Sequence, residues 1–166
     1  MVRKAEERDL PDILIIYDRA RAFMRASGNT EQWRNGYPRR EALEYDIEQG
    51  RLFVLEDDFG LYGVFMLAPG PDRTYAVIRE GRWLDDSPYA VIHRIASSGR
   101  RSGVLHEALS YASALCSHIR IDTHALNAPM QRALAREGFV RTGIIVCDDG
   151  TDRVAFECVP TCVSCK

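Results

Sequence analysis

The chain has 166 residues, 46% of them hydrophobic, and a formal net charge of −2. That length suits one domain with a full core, and the charge leaves no basic field for nucleic acid. No run approaches the roughly 18 apolar residues that a membrane span needs.

The N-terminal "MVRKAEERDL" has no apolar stretch of the secretory kind, so a cytoplasmic protein is expected. Of the 22 basic residues only Lys4 and Lys166 are lysines. The five cysteines, Cys116, Cys147, Cys158, Cys162 and Cys165, are an odd number, which argues against a disulfide framework. The tail "CVPTCVSCK" contains a C-x-x-C, but a zinc site needs four ligands and no second pair lies nearby. No metal is expected. Residues 1–160 are read as one domain and 161–166 as a flexible tail.

In chain order, "VRKA" reads as a first strand. Asp9 is placed to cap a helix in which Leu10, Ile13, Leu14, Tyr17, Ala20 and Met24 recur at helical spacing up to Gly28. "GNTEQWRNGYP" is a loop, and "RREALEYDIEQG" a shorter helix ending at Gly50. "RLFVLED" and "LYGVFMLAPG" form a hairpin through Asp57 to Gly60. "RTYAVIREGRWLDDSPYAVIHRIA" holds two apolar stretches, of which Tyr89 to Ala96 is the better strand. From Gly103 the period changes, with Val104, Ala108, Leu109, Ala112, Leu115 and Cys116 on one helical face. "IRIDTHA" is a strand, "NAPMQRALAREGF" a helix with Asn127 near its start, and "VRTGIIVCDDGTDRVAFECV" a closing hairpin. The order β, α, α, β, β, β, α, β, α, β, β predicts an α+β fold: a single mixed, mostly antiparallel twisted sheet with helices on both faces.

The junction "IASSGRRSGVLHEALSYASAL" carries the functional question. The first amides of a helix have no internal partner and sit at the positive end of its dipole. Gly99 and Gly103 allow close approach, Ser97, Ser98 and Ser102 add hydroxyls, and Arg100 and Arg101 add cations suited to phosphate. A diphosphate cradle and an ordinary turn with a solvated arginine pair both fit. No Walker lysine follows, and there is no G-x-G-x-x-G.

Arg100-Arg101-Ser102-Gly103-Val104 resembles the R/Q-x-x-G-x-G/A acetyl-CoA loop of the GNAT N-acetyltransferase superfamily, and "NAPMQRALAREGF" resembles its N-x-x-A-x-x-L-Y-x-x-x-G-F helix. The element order is similar from the "VRKA" strand to "RVAFECV". This chain departs from the pattern where the loop motif ends in Leu105, where the loop is short, and where Leu134 replaces the Tyr that protonates the leaving thiolate in many members.

The resemblance implies acetyl-CoA as co-substrate, its pyrophosphate against amides from Gly99 to Val104 and its pantetheine arm along Ile95, Ala96 and Ser97. An amide near Ile95 or Ala96 would polarise the thioester carbonyl, worth roughly 3–4 kcal/mol against a developing oxyanion. Asn127 falls where the family orients cofactor or water, and is equally a plain N-cap. The expected acceptor is a primary amine of a small molecule or peptide, attacking directly in a ternary complex. Its deprotonation at pH 7 costs roughly 4–5 kcal/mol, so a base helps.

His93 is the first candidate for that base; by strict alternation it shares a face with Val91 and Ile95. A histidine packed in the sheet is the competing reading. His124, near Asn127, is a weaker candidate at the site's border, and His106 and His118 read as solvated or structural. Glu31, Trp33 and Tyr37 are placed to line the acceptor pocket, or to plug the sheet's end. Tyr75, Trp83, Asp85, Asp86 and Tyr89 are placed in the opposite wall. Cys147 reads as a small buried hydrophobe in a strand. The alternatives are a CoA-binding relative that has lost catalysis and an unrelated nucleotide-binding protein. A homodimer is compatible with the sequence without being indicated by it.

Overall fold

A computed structural model describes residues 1–159; the tail 161–166, with the C-x-x-C from Cys162 to Cys165, lies outside the described residues. The strands are β1 (Val2–Lys4), β2 (Leu52–Asp57), β3 (Gly60–Pro69), β4 (Ala90–Ser97), β5 (Ile119–Thr123), β6 (Val140–Val146) and β7 (Asp152–Cys158). The helices are α1 (Leu10–Ala26), α2 (Arg40–Glu48), α3 (Val104–Ser113) and α4 (Ala128–Arg136). The strands form one seven-stranded sheet in the order β1-β2-β3-β4-β5-β7-β6. Every neighbouring pair is antiparallel except β4 and β5. The expected α+β arrangement and element order are those observed.

Alternation in β2 explains its unbroken apolar run. Leu52 and Val54 pack with Ile13, Tyr17 and Leu43 beneath α1 and α2. Phe53 and Leu55 pack with Ala108, Leu109 and Leu134 beneath α3 and α4. A strand covered on both faces needs apolar residues at every position. Asp9 does precede α1, but its carboxylate is taken by Arg3, at 2.6 and 2.9 Å, and by the Glu6 amide, so it does not cap that helix. No helix among the described residues is long and apolar enough to cross a membrane.

The stretch 70–89 is where the sequence reading is least complete. Its first apolar run forms a single 3-10 turn, Arg73–Tyr75, and one isolated bridge, Arg79 to Ile144, rather than a strand. Tyr75 is buried with Val91, Ile145 and Ala155 in a third cluster that closes the end of the sheet. The segment crosses β6 closely: a Cβ on Gly81 would stand 1.9 Å from the Thr142 carbonyl oxygen.

Two irregularities of β4 shape the site. Its parallel ladder with β5 holds only at Ala90–Ile119 and Val91–Arg120, and the strands then part. Against β3 the register slips by one residue between Met66–His93 and Val64–Ala96. The extra residue makes a bulge at Arg94, whose φ is +54°. The buried Tyr17 hydroxyl donates to the Arg94 carbonyl at 2.7 Å and holds that conformation.

Candidate functional site

The parting of β4 and β5 opens a cleft of about 840 Å³ that passes through the sheet. Ile92, Ile95, Ile121 and Met130 reach it from the α3–α4 side, and Trp33, Met66 and Ala68 from the α1 side. The bulge decides which β4 side chains enter where. Ile92 and Ile95 belong to the α3-side core, while Ala96 belongs to the α1-side core. His93 therefore does not share a face with Ile95, as strict alternation predicts. The bulge instead turns the consecutive residues His93 and Arg94 to the same face.

His93 sits between two carboxylates. Its Nε2 lies 2.8 Å from Asp72 and its Nδ1 3.5 Å from Asp122, with Tyr75 edge-on at 5.7 Å. Burial favours the neutral ring, but the hydrogen bond to Asp72 and the charges of Asp122 and Asp72 outweigh it, so the pKa is raised. Burial works against ionised Asp72 too, yet the His93 and Thr74 hydrogen bonds hold it well below the usual carboxylate range. The Tyr75 hydroxyl donates to Asp122 at 2.8 Å; its pKa is raised by burial and then by Asp122. Cys147 follows β6 and lines the cleft, rather than filling a strand, with its Sγ 3.8 Å from Asp122. Burial and then Asp122 push its thiol up to about 12, so it stays protonated and poorly nucleophilic.

On that same face Arg94 reaches toward α2 rather than toward β5. It pairs with the fully buried Asp46 at 3.0 Å, and Arg51 holds the second oxygen of that carboxylate at 2.6 Å. Arg94 also donates to the Tyr37 hydroxyl at 3.4 Å.

Beyond β4 the loop closes on itself. The Gly99 amide donates to Ser97 Oγ at 3.1 Å and the Arg100 amide to Ser98 Oγ at 3.2 Å. Gly103, at φ +87°, sits at the N-cap of α3 with no side-chain cap, so Val104 and the amides after it have no side-chain acceptor. The two arginines are less free than the sequence suggests. Arg100 forks onto Asp57 at 3.0 and 2.8 Å and reaches the Gly60 carbonyl at 2.8 Å. Arg101 stacks on Tyr62 at 4.5 Å, and its carboxylate contacts, Asp57 and Glu107, are both 3.6 Å away. Ser102 is exposed. The Ser98 amide donates to the Tyr62 carbonyl at 3.0 Å. The two-residue alternation of an antiparallel ladder then gives the Ala96 amide to β3 and leaves those of Ile95 and Ser97 on the open edge.

The expected acceptor residues divide. Glu31, Trp33, Tyr37, His93, Ile95 and Asn127 line the cleft; Tyr89 and His124 do not. Glu31 is ion-paired with Arg34, which removes its free charge. Trp33 stands edge-on to Tyr17 at 5.5 Å. Asn127 does cap α4, accepting from the Met130 amide at 3.2 Å, and donates to Gln32 at 2.9 Å, tying α4 to the α1–α2 loop. His124 accepts from the Leu126 amide at 3.1 Å; burial and then Arg153 lower its pKa. Tyr75, Trp83 and Tyr89 pack together behind the opposite wall, with centroids 5.2 and 6.4 Å apart. Asp72, Arg73 and Thr74 form its surface. Leu134 is fully buried and supplies no polar group. The sequence reading missed Asp72 and Asp122. Asp122 had a signal: in "IRIDT" Ile119 and Ile121 alternate into the α3-side core, which puts Arg120 and Asp122 on the opposite face of the strand. Asp72 lies in a loop with no period to mark it. Among the described residues no group of three or more His, Cys, Asp or Glu could hold a metal ion.

Comparison with solved structures places this architecture. A GNAT-family acetyltransferase from Streptococcus agalactiae 2603 is 29% identical with a TM-score of 0.85, over 96% of this chain and 95% of that one. An acetyltransferase from Staphylococcus aureus Mu50, described as putative, is 25% identical with a TM-score of 0.68, over 95% and 97%. The ribosomal-protein-S18-alanine N-acetyltransferase of Escherichia coli, 15% identical with a TM-score of 0.61 over 100% and 98%, shares the fold alone. No family sequence model matches the chain, and no curated protein matches it in sequence. Over essentially its full length the chain has the fold of GNAT-family acetyltransferases, one seven-stranded mixed sheet with four helices.

Proposed function

We propose that the protein transfers an acetyl group from acetyl-CoA to a primary amine by direct attack in a ternary complex. The observation that carries this reading is one continuous path. The bulged, unpaired edge of β4 runs from the cleft into a glycine-capped helix whose first amides have no side-chain acceptor. Those features fit a thioester carried on a diphosphate. Amides from Arg101 to Val104, with the Arg101 side chain, would hold the pyrophosphate; those of Gly99 and Arg100, also expected there, are donated to Ser97 and Ser98. The open edge at Ile95 and Ser97 would hold the pantetheine arm, with Ala96 keeping that edge paired to β3. When bound, the co-substrate supplies an activated acyl carbonyl.

His93 is the group that takes the amine's proton. Its raised pKa makes it a stronger base than a free imidazole, and it acts when deprotonated, so the rate rises with pH through its pKa. Glu31, Trp33 and Tyr37 form the acceptor side of the cleft, and Asn127 fixes that loop to α4. The unreactive Cys147 thiol supports direct attack over a covalent enzyme intermediate. One observation favours a second reading, a CoA-binding relative without catalysis: Leu134 is sealed in the core where many members carry the acid.

Calorimetric titration with acetyl-CoA, with ATP and NAD as controls, tests the first step. Binding specific to acetyl-CoA and lost in Gly103→Trp supports the cradle. Thiol release with amine acceptors then separates the two readings. His93→Ala should lower kcat/KM about 100-fold with acetyl-CoA affinity retained. Binding with no release under any acceptor would establish the non-catalytic reading.

A further inference from the structure

The bulge that turns His93 and Arg94 to one face also divides the charge of the cleft. At the β5 end two carboxylates, Asp72 and Asp122, face a single imidazole, so that end stays negative even with His93 protonated. At the α2 end the balance is reversed. Arg51 and Arg94 share the single carboxylate of Asp46, and Arg94 Nε and Asp46 Oδ2 are both buried without a hydrogen-bond partner. Arg39, at the start of α2, lines the same cleft and pairs with no carboxylate among the described residues. The remaining charges of the lining cancel in pairs: Arg34 with Glu31, Arg73 with Asp148, Arg153 with Asp149. The cleft is therefore dipolar along its length rather than uniformly acidic.

We infer that the acceptor is a zwitterionic amino-carboxylate: its ammonium faces Asp122 and the Asp72–His93 pair, and its carboxylate faces Arg39 and the Arg94–Asp46–Arg51 cluster. This rests on the acetyl-transfer reading and deepens it. A diamine would place its second cation against the arginine end. A peptide N-terminus has no carboxylate beside its amine to meet that end. Guanidinium groups suit a carboxylate because their paired N–H donors match its two oxygens. Tyr37, whose hydroxyl accepts from Arg94, supplies the wall between the two ends. In the reaction the amine nitrogen forms a bond to the acetyl carbon as the carbon–sulfur bond breaks. The ammonium gives one proton to His93 before it attacks; the second proton, shed as the amide forms, is the one the departing CoA thiolate takes up.

The test is a panel of free amino acids, each run beside its decarboxylated amine, such as phenylalanine with phenethylamine and lysine with cadaverine. CoA thiol release and product mass are the readouts, and calorimetry measures acceptor binding in parallel. At least one amino acid should exceed its own amine by about tenfold or more in kcat/KM, the worth of one charged hydrogen bond. Arg39→Ala, an exposed change that leaves the core untouched, should raise KM for the acid and collapse that ratio, and Arg39→Lys should restore part of it. Amines equal to or better than their acids overturn the inference, as does a ratio unmoved by Arg39→Ala, or no turnover and no binding of any amino acid by protein that binds acetyl-CoA. Amino-acid binding by protein that fails to bind acetyl-CoA would keep the zwitterion site and sink the transfer reading instead.

Discussion

Two histidines bond carboxylates from inside the fold, one sealed and the other half-buried and facing the cleft. His118 is sealed: it is 3% exposed, and its ring bonds Glu157 at 2.7 Å and Ser87 at 3.0 Å. Arg120 donates to the same Glu157 at 2.8 Å and lies between the rings of Trp83 and Tyr89, at 4.1 and 3.9 Å. One carboxylate there satisfies two donors, and aromatic rings exclude water. His93 has two carboxylates to itself and keeps 23% of its side chain exposed, toward the cleft. The same residue types build a strut in one place and a group able to exchange a proton in the other. Solvent access and the ratio of acids to cations make that difference, not histidine itself.

The two clusters are also joined. Tyr89 covers Arg120 with its ring and accepts from the Asp72 amide with its hydroxyl at 3.1 Å. The sealed cluster thus anchors the segment that delivers Asp72 to His93. Breaking it should give the largest effect. Glu157→Gln leaves Arg120 buried without its counter-charge and should cost about 3–5 kcal/mol of stability. Urea unfolding measures this. A loss below about 1 kcal/mol would mean that the cluster is not sealed in solution.

The open cluster should respond less, and in a pH-dependent way. His93 has a folded pKa above its ordinary 6.5, so its contribution is complete below 6.5 and fades as pH rises through the folded value. Asp72 is depressed below its ordinary 3.8, so its contribution is present above 3.8 and fades as pH falls through the folded value. Asp72→Asn should therefore destabilise by about 2 kcal/mol in the window between those two ordinary values, and by less on either side. It should also move the pH–rate midpoint down. A stability loss flat from pH 4 to 9 would show a plain packing defect. Tyr89→Phe keeps the ring over Arg120 and removes only the acceptor for the Asp72 amide. About 1 kcal/mol is expected, and a larger loss of activity than of stability would show that the hydroxyl serves Asp72.

The sequence made the scaffold legible because burial on both faces writes itself into composition. "LFVL" in β2 and the helical stripe of α1 leave little choice of element. The uncapped start of α3 was legible for a similar reason, since Gly99 and Gly103 mark the backbone that such a turn demands. The cleft was not. One extra residue at Arg94 reverses every side chain after it, and no residue type in "VIHRIA" announces a bulge. The partners of His93 come from residues 21 positions earlier and 29 positions later in the chain, distances that a local pattern does not span. Arg100 and Arg101 misled for the opposite reason. They look free in the sequence, and the hairpin that holds Asp57 brings their counter-charge from far away.

A third histidine completes the gradient and should show the smallest effect. His106, in the first turn of α3, lies 3.0 Å from Glu137, but its side chain is 67% exposed. Glu137 raises its pKa through a hydrogen bond, so its contribution too would be present below 6.5 and lost above. Water and salt screen an exposed pair of this kind. A protonated histidine at the positive end of a helix is moreover poorly placed, which works against what the pair gains. His106→Ala should leave the unfolding midpoint unchanged at pH 6 and pH 8. Acetyl-CoA affinity should hold as well, because the proposed cradle in that turn uses backbone amides that the substitution keeps. If His106→Ala weakens acetyl-CoA binding, a side chain rather than the backbone meets the phosphates. If it costs as much stability as Asp72→Asn, burial is not what separates the three histidines, and the ranking of the sealed and open clusters loses its physical basis.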